Sequence, residues 1–186
     1  MELGYEMKKG FLKATRDNGV VYSANSCNFR LTREDLSKLI ENSSVAPGRR
    51  GRICSHHSND EPVHEMFVAH ERDTYVRPHR HLNKSESMVI LTGEVDYLIF
   101  NDVGNLIECY RLGEPASGLP FYQSTRTDLY HSLIVRTDWA VFLEITKGPF
   151  NPSDTVWAPW SPAVTSGEAK TFQKRLEREI VCTEQN

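Results

Sequence analysis

The stretch Pro78-His79-Arg80-His81-Leu82-Asn83-Lys84-Ser85-Glu86 sets two histidines one residue apart and a glutamate five positions after the second. On an extended strand, residues two apart project to the same face. His79 and His81 therefore aim their imidazoles at one point, and Arg80 aims away. Glu86 opens the next strand-like run, and the short polar turn before it lets the carboxylate fold back onto the two rings. Two neutral imidazoles with a carboxylate suit a divalent Fe, Mn, Zn or Ni ion, and a site with open positions suits catalysis.

The flanking sequence supplies the strands this reading needs. From Arg52 to Thr146 the chain is a series of short strand-like runs between turns. Met66-Phe67-Val68 is followed by a polar turn at Glu71-Arg72-Asp73 and by a further run at Thr74-Tyr75-Val76. Glu86 to Thr92 breaks at Gly93. Val95, Tyr97 and Ile99 then alternate with Glu94, Asp96 and Leu98, a period of two. Asn101-Asp102-Val103-Gly104-Asn105 is a hairpin signal before Leu106 to Leu112. Tyr130 to Arg136 and Trp139 to Thr146 flank the turn at Thr137-Asp138. Many short strands with no helices between them predict a mainly β sandwich or barrel.

Helices are expected only at the two ends. Residues 1 to about 30 are weakly patterned. A helix is predicted over 32–42, with Thr32 as N-cap, Glu34 and Asp35 in the first turn, and Leu36, Leu39 and Ile40 at helical spacing. Leu31 and Leu36 take the positions of a hydrophobic staple. The segment from Gly148 to Pro162 reads as an ordered strap, because Trp157 and Trp160 are costly to leave in water. Thr165 and Glu168 have capping-box spacing, and Ala169, Phe172, Leu176 and Ile180 define one face of a final helix. The expected organisation is an N-terminal segment over 1–47, a β-barrel over 48–163 and a C-terminal helix and tail over 164–186.

Composition narrows the function classes. With 186 residues, a net charge of −3 and 39% hydrophobic residues, the chain is an ordinary globular domain without a general nucleic-acid footprint. No apolar run approaches a membrane span. Cys27, Cys54, Cys109 and Cys182 are scattered and form no C-x-x-C pair. The first thirty residues are rich in charge and hold no signal-peptide core. A cytoplasmic chain with reduced thiols is expected.

Two histidines separated by one residue, Glu86 and then Gly93 resemble the first motif of the cupin family. That resemblance implies a single small jelly-roll barrel, metal binding by His79, His81 and Glu86, and a further histidine from a second motif. The best match to the second motif is Tyr130-His131-Ser132-Leu133-Ile134-Val135, which makes His131 the fourth ligand. The matches depart from the usual pattern at Asp73, Arg126, Asp128 and Val135. More narrowly, Arg50-Gly51-Arg52-Ile53-Cys54-Ser55-His56, Val63-His64-Glu65-Met66, Lys84-Ser85-Glu86-Ser87, Phe142 to Phe150 and Trp157-Ala158-Pro159-Trp160-Ser161-Pro162 are similar to WbuC-type cupins over roughly residues 48–163. These are cupin-fold metalloproteins associated with surface polysaccharide (O-antigen) gene clusters. The resemblance implies a homodimer as well.

The expected function is a metal-dependent enzyme, an isomerase, epimerase or dioxygenase, acting on a small carbohydrate or sugar-nucleotide. Glu144 and His64 are the acid/base candidates. A carboxylate inside the apolar run Trp139 to Ile145 is expensive unless it is paired or functional. The alternatives for Glu144 are a hydrogen bond that orients a ligand imidazole, and half of a structural ion pair. Arg49, Arg50 and Arg52 are read as a solvated face, or as a grip on a diphosphate if a nucleotide-sugar is bound. A non-catalytic metal- or ligand-binding module is the alternative function, and a structural barrel with a vestigial site is a third.

Overall fold

The computed structural model describes residues 11–16, 19–25, 28–125 and 128–180. Glu2, Glu6, Lys8, Lys9, Asp17, Cys27, Arg126, Cys182 and the tail beyond residue 180 lie outside the described residues. The strands are β1 (Phe11–Arg16), β2 (Gly19–Ala24), β3 (Arg50–Cys54), β4 (Val63–Glu71), β5 (His79–His81), β6 (Glu86–Thr92), β7 (Glu94–Phe100), β8 (Leu106–Gly113), β9 (Tyr122–Thr125), β10 (Tyr130–Val135), β11 (Trp139–Lys147) and β12 (Thr155–Trp157). The helices are α1 (Arg33–Ser44) and α2 (Ala169–Glu179).

Two sheets face each other. One has the order β1-β2-β3-β4-β11-β6-β9 and the other β12-β5-β10-β7-β8. From β4 onward the chain passes back and forth between them, as in a jelly roll. Strands β1 and β2, which weak patterning left unassigned, continue the larger sheet through a parallel pairing of β2 with β3.

The space between the sheets is filled by Val68, Met88, Ile90, Val95, Tyr97, Leu133, Val135 and Phe142 with their neighbours. Each sheet also buries its outer face. Helix α1 covers Val20, Tyr22, Ile53, Ala69 and Val141 through Leu39. Helix α2 and the strap cover Leu98, Phe100, Tyr130 and Ile134. No helix among the described residues is long and apolar enough to cross a membrane.

The local chemistry explains the element ends. Thr32 caps α1 in a reciprocal capping box: its hydroxyl accepts from the Asp35 N–H, and the Asp35 carboxylate accepts from Thr32 N–H at 2.8 Å. The predicted capping box at Thr165 is not formed. Glu168 is the N-cap of α2 and makes no side-chain cap bond, so packing of Ala169, Gln173 and Leu176 holds this helix in place.

The expected strand at Thr74-Tyr75-Val76 is absent because this segment crosses from one sheet to the other. Side chains anchor it instead: Thr74 Oγ1 donates to Arg49 O, Tyr75 OH donates to Pro162 O, and Val76 O accepts from Ser132 Oγ at 2.6 Å. Trp160 is packed against Phe100 and Tyr130 as expected of the strap, but Trp157 is 49% exposed beside His79 and Arg77. The expectation of reduced thiols fails at Cys109, which is disulfide-bonded, whereas Cys54 is a buried thiol. Wide spacing along the chain does not prevent tertiary approach of two cysteines.

Gly93 makes the turn from β6 to β7 at φ 79°. A Cβ there would lie 2.3 Å from Trp139 O and 2.5 Å from Thr137 Oγ1. Gly93→Ala is therefore expected to cost about 2–4 kcal/mol, combining left-handed strain with a backbone clash. Denaturant unfolding checks this, and a midpoint equal to that of the unmodified chain would refute it.

Candidate metal centre

The alternation expected at the histidines is present. Arg80 turns outward, 3.0 Å from Asp102 and 4.7 Å over the Tyr130 ring. His79 and His81 turn inward on β5. His79 pairs across to His131 on β10, and His81 pairs across to Thr155 on β12. Asn83, at φ 57°, turns the chain toward the opposite sheet, where Glu86 begins β6. Asparagine tolerates this left-handed position better than most residues.

One ligand atom from each of His79, His81 and His131 lies within 4.8 Å of the other two. Glu86 Oε2 is 3.0 Å from His81 Nε2, and Glu86 Oε1 is 3.9 Å from His131 Nε2. At metal–ligand bonds of about 2.1 Å, adjacent ligands on one ion sit about 3 Å apart, so these groups need only small adjustments to share a cation.

The outer ring nitrogens orient the rings. His79 Nδ1 is 2.8 Å from Arg77 O, and His131 Nδ1 is 3.2 Å from Leu129 O. A carbonyl only accepts, so both Nδ1 atoms carry the hydrogen and both Nε2 atoms keep a lone pair. His81 Nδ1 meets Thr155 Oγ1 at 3.3 Å. His131 Nε2 is buried without a hydrogen-bond partner, and the ring is 3% exposed and stacks on Tyr97 at 5.8 Å. A buried lone pair facing two imidazoles and a carboxylate is the arrangement that a cation satisfies.

Charge follows the same pattern. Burial, and then His131, push His79 down to about 3, and burial lowers His131. Burial raises the Glu86 carboxyl, but the His81 hydrogen bond and the three imidazoles outweigh it and hold the group at about 2. Neutral rings beside an ionised carboxylate are the protonation states that metal ligation requires.

Glu144 and His64 lie on the wall of the same space. Across β4, β11 and β6, the row His64–Thr146–Glu86 is in register, and Met66–Glu144–Met88 is the next inward row. A cavity of about 530 Å³ is lined by His81, Glu144, His64, Arg52 and Lys84, among others. Neither alternative for Glu144 is realised: the three Nδ1 atoms have other partners, and among the described residues no cation lies within ion-pair distance of it. Burial, and then the charge of Glu86, push Glu144 up to about 8. His64 is 3% exposed, stacks on His56 at 4.2 Å, and has its Nε2 buried without a partner.

The three arginines are divided. Arg49 pairs with Glu71 at the surface. Arg50 and Arg52 face the barrel interior, because the other face of β3 carries Gly51 and Ile53 beneath α1. A Cβ on Gly51 would meet Ser43 Oγ at 2.3 Å. The side chains whose place at the site sequence reasoning did not give are Thr155 and Trp157 on β12, Tyr97 on β7 and Lys84 in the turn before β6. Lys84 and Trp157 lie in stretches already quoted, but only tertiary contacts bring them to the site.

His70 adds a pH dependence independent of the candidate ligands. Burial, and then Arg50 and Arg52, lower it from 6.5 to about 3. The unfolded chain binds this proton near pH 6.5 and the folded chain does not, so stability falls as pH drops through the range 6.5 to 3. The expected slope from this group is about 1.4 kcal/mol per pH unit. His70→Gln should flatten the acid limb of a stability–pH curve by one proton, and an unchanged limb would contradict this.

Comparison with known proteins agrees with the fold. A family model described as a domain of unknown function, DUF6016, matches residues 31–112. No curated protein matches the sequence. Among solved structures, protein SO0799 from Shewanella oneidensis aligns with TM-score 0.50 and 13% identity, covering 69% of this chain and 85% of that one. Oxalate decarboxylase from Bacillus subtilis aligns at TM-score 0.41 and 18% identity over 53% of this chain, and Brassica napus procruciferin, an 11S globulin, at TM-score 0.40 and 10% identity over 51%. The chain spans only 24% and 22% of those two proteins. In fold, the chain is a single cupin jelly roll with a helix packed on the outside of each sheet.

Proposed function

We propose that this chain is a metal-dependent enzyme whose single divalent ion is held by His79, His81, Glu86 and His131. The observation that carries this reading is the buried, unpartnered Nε2 of His131, turned toward two imidazoles and a carboxylate whose outer atoms are already engaged. Three nitrogens and one carboxylate suit Fe, Mn, Zn or Ni and leave positions free in a five- or six-coordinate ion. Such an ion supplies Lewis acidity toward a substrate oxygen, or reactivity with dioxygen if it is iron.

The remaining chemistry belongs to the chain. Glu144 lines the cavity beside His81, makes no ion pair among the described residues, and is held near neutral pH, so it is placed to move a proton to or from a bound substrate. His64 is the second candidate, because it lines the same cavity and its Nε2 has no hydrogen-bond partner. Thr155, Arg77 O and Leu129 O keep the three rings oriented. A cavity reaching His81 favours catalysis over a closed, purely binding site.

The WbuC-type resemblance directs the substrate search to small carbohydrates and sugar-nucleotides of surface polysaccharide synthesis, and the cupin resemblance favours a homodimer. The test is a panel of aldoses, ketoses and nucleotide-sugars assayed with metal-loaded protein, chelated protein and Glu144→Gln. Turnover should require the metal and should fall about 100-fold or more without the Glu144 carboxylate. Full activity after complete metal removal would end this reading.

A further inference from the structure

The cavity beside the candidate metal centre carries charge that the metal does not explain. Arg52 is on the inner face of β3, in register with the core residue Val68 and with Val21. Lys84 reaches the same cavity from the turn before Glu86. Among the described residues, neither forms an ion pair or a hydrogen bond to a carboxylate, although Glu144 lines the same wall. Arg52 is partly buried, and Glu144 feels its charge and that of Lys84, yet among the described residues no carboxylate stands within ion-pair distance of either. Their neighbour Arg49 shows the ordinary outcome, a surface pair with Glu71.

Two further features mark the place as built for a ligand. His64 lines this cavity, is almost wholly buried, and has an Nε2 without a hydrogen-bond partner. The cavity also borders a second space of about 260 Å³, and Arg52, Glu144, Met66 and Val21 line both. That inner space adds Arg50, His70, whose Nδ1 is buried without a partner, and the half-exposed Trp157. Arg52 and Glu144 thus line a path from the space beside His81 to the one beside Arg50.

We infer that this path is an anion subsite: Arg52, assisted by Lys84, holds a carboxylate or phosphate of the substrate while the substrate's other end lies at the metal centre. Arginine suits either group, because its planar fork donates two parallel hydrogen bonds to an oxyanion. The substrate is then a bifunctional acid, such as a sugar phosphate or sugar acid, rather than a neutral sugar. Only the orientation of this ligand rests on the metal-centre reading. The anion grip itself does not.

The test is calorimetric titration with inorganic phosphate and, separately, with acetate, using the full chain both metal-loaded and chelated. One saturable anion is expected per chain in both forms. Its affinity should fall about tenfold or more in Arg52→Gln, fall less in Arg52→Lys, and stay unchanged in Arg49→Gln. The preferred probe identifies phosphate or carboxylate as the natural group. Equal affinity in Arg52→Gln and the unmodified chain, or binding seen only with metal and lost in His81→Ala, would overturn the inference. Should Arg52→Gln fail to fold, Lys84→Gln, at a turn, must weaken binding for the inference to stand. Because the chelated protein is titrated as well, a failure of the metal reading leaves the anion result legible.

Discussion

His81→Ala protein should purify with less than about a tenth of the metal held by the unmodified chain, which itself should carry close to one divalent ion. The magnitude follows from sharing a site energy of about 10–16 kcal/mol among four ligands, which makes each worth about 3 kcal/mol, or roughly a hundredfold in affinity. His81 is the most informative position, because its Nε2 stands 3.0 Å from Glu86 and its ring lines the cavity. His131→Ala should lose metal to the same degree, and Glu86→Gln somewhat less, since an amide keeps the shape and one oxygen. Elemental analysis measures the occupancy. A chelator should lower the melting temperature of the unmodified chain and leave that of His81→Ala almost unmoved, because only a ligand of the folded state stabilises it. Metal contents that do not differ between His81→Ala and the unmodified chain would remove the metal centre from these residues.

Asp96→Ala is expected to cost about 3–5 kcal/mol of stability, the typical loss when one member of a buried ionic group is removed. Asp96 is 0% exposed. Its carboxylate accepts from Arg111 Nε at 2.7 Å and Arg111 Nη2 at 3.2 Å, and from Arg136 Nε at 2.5 Å. Arg136 also reaches Ile180 O at 3.5 Å, so the cluster ties β7, β8 and the end of β10 to the end of α2. Removing the carboxylate leaves two guanidinium groups facing each other at the base of that helix. For a chain of this size the melting temperature should fall by about 10 °C. Asp96→Ala combined with Arg136→Met should recover part of the loss, because one stranded charge is gone. A melting temperature within about 2 °C of the original would show that the cluster contributes little.

Asp96 also shows where sequence pattern misleads. The alternation of Val95, Tyr97 and Ile99 with Glu94, Asp96 and Leu98 has the form of a strand with one face in water, yet nearly all of β7 is buried. Its second face lies under α2 and the strap, elements far away in the chain. Arg50 and Arg52 obey the same two-residue rule as His79 and His81, but nothing local says which face of β3 is inward. That is decided by α1, whose close approach takes the Gly51 and Ile53 side for itself. Glu144 stood out in the sequence because a carboxylate is costly inside an apolar run, but its lack of an ion-pair partner is visible only with the neighbouring strands in place.

What the sequence determined by itself is therefore the local grammar: the strand pairs and their turns, the Thr32-capped helix, the glycine between β6 and β7, and two histidines bound by backbone geometry to point the same way. What only the tertiary structure decided is convergence. His131 reaches His79 across a strand pair, Glu86 reaches His81 and His131 from the opposite sheet, and Arg52 and Glu144 meet at one cavity wall. The reason is physical. Side-chain direction along a strand is set by neighbours one and two residues away, whereas burial and charge pairing are set by whichever distant elements pack against it.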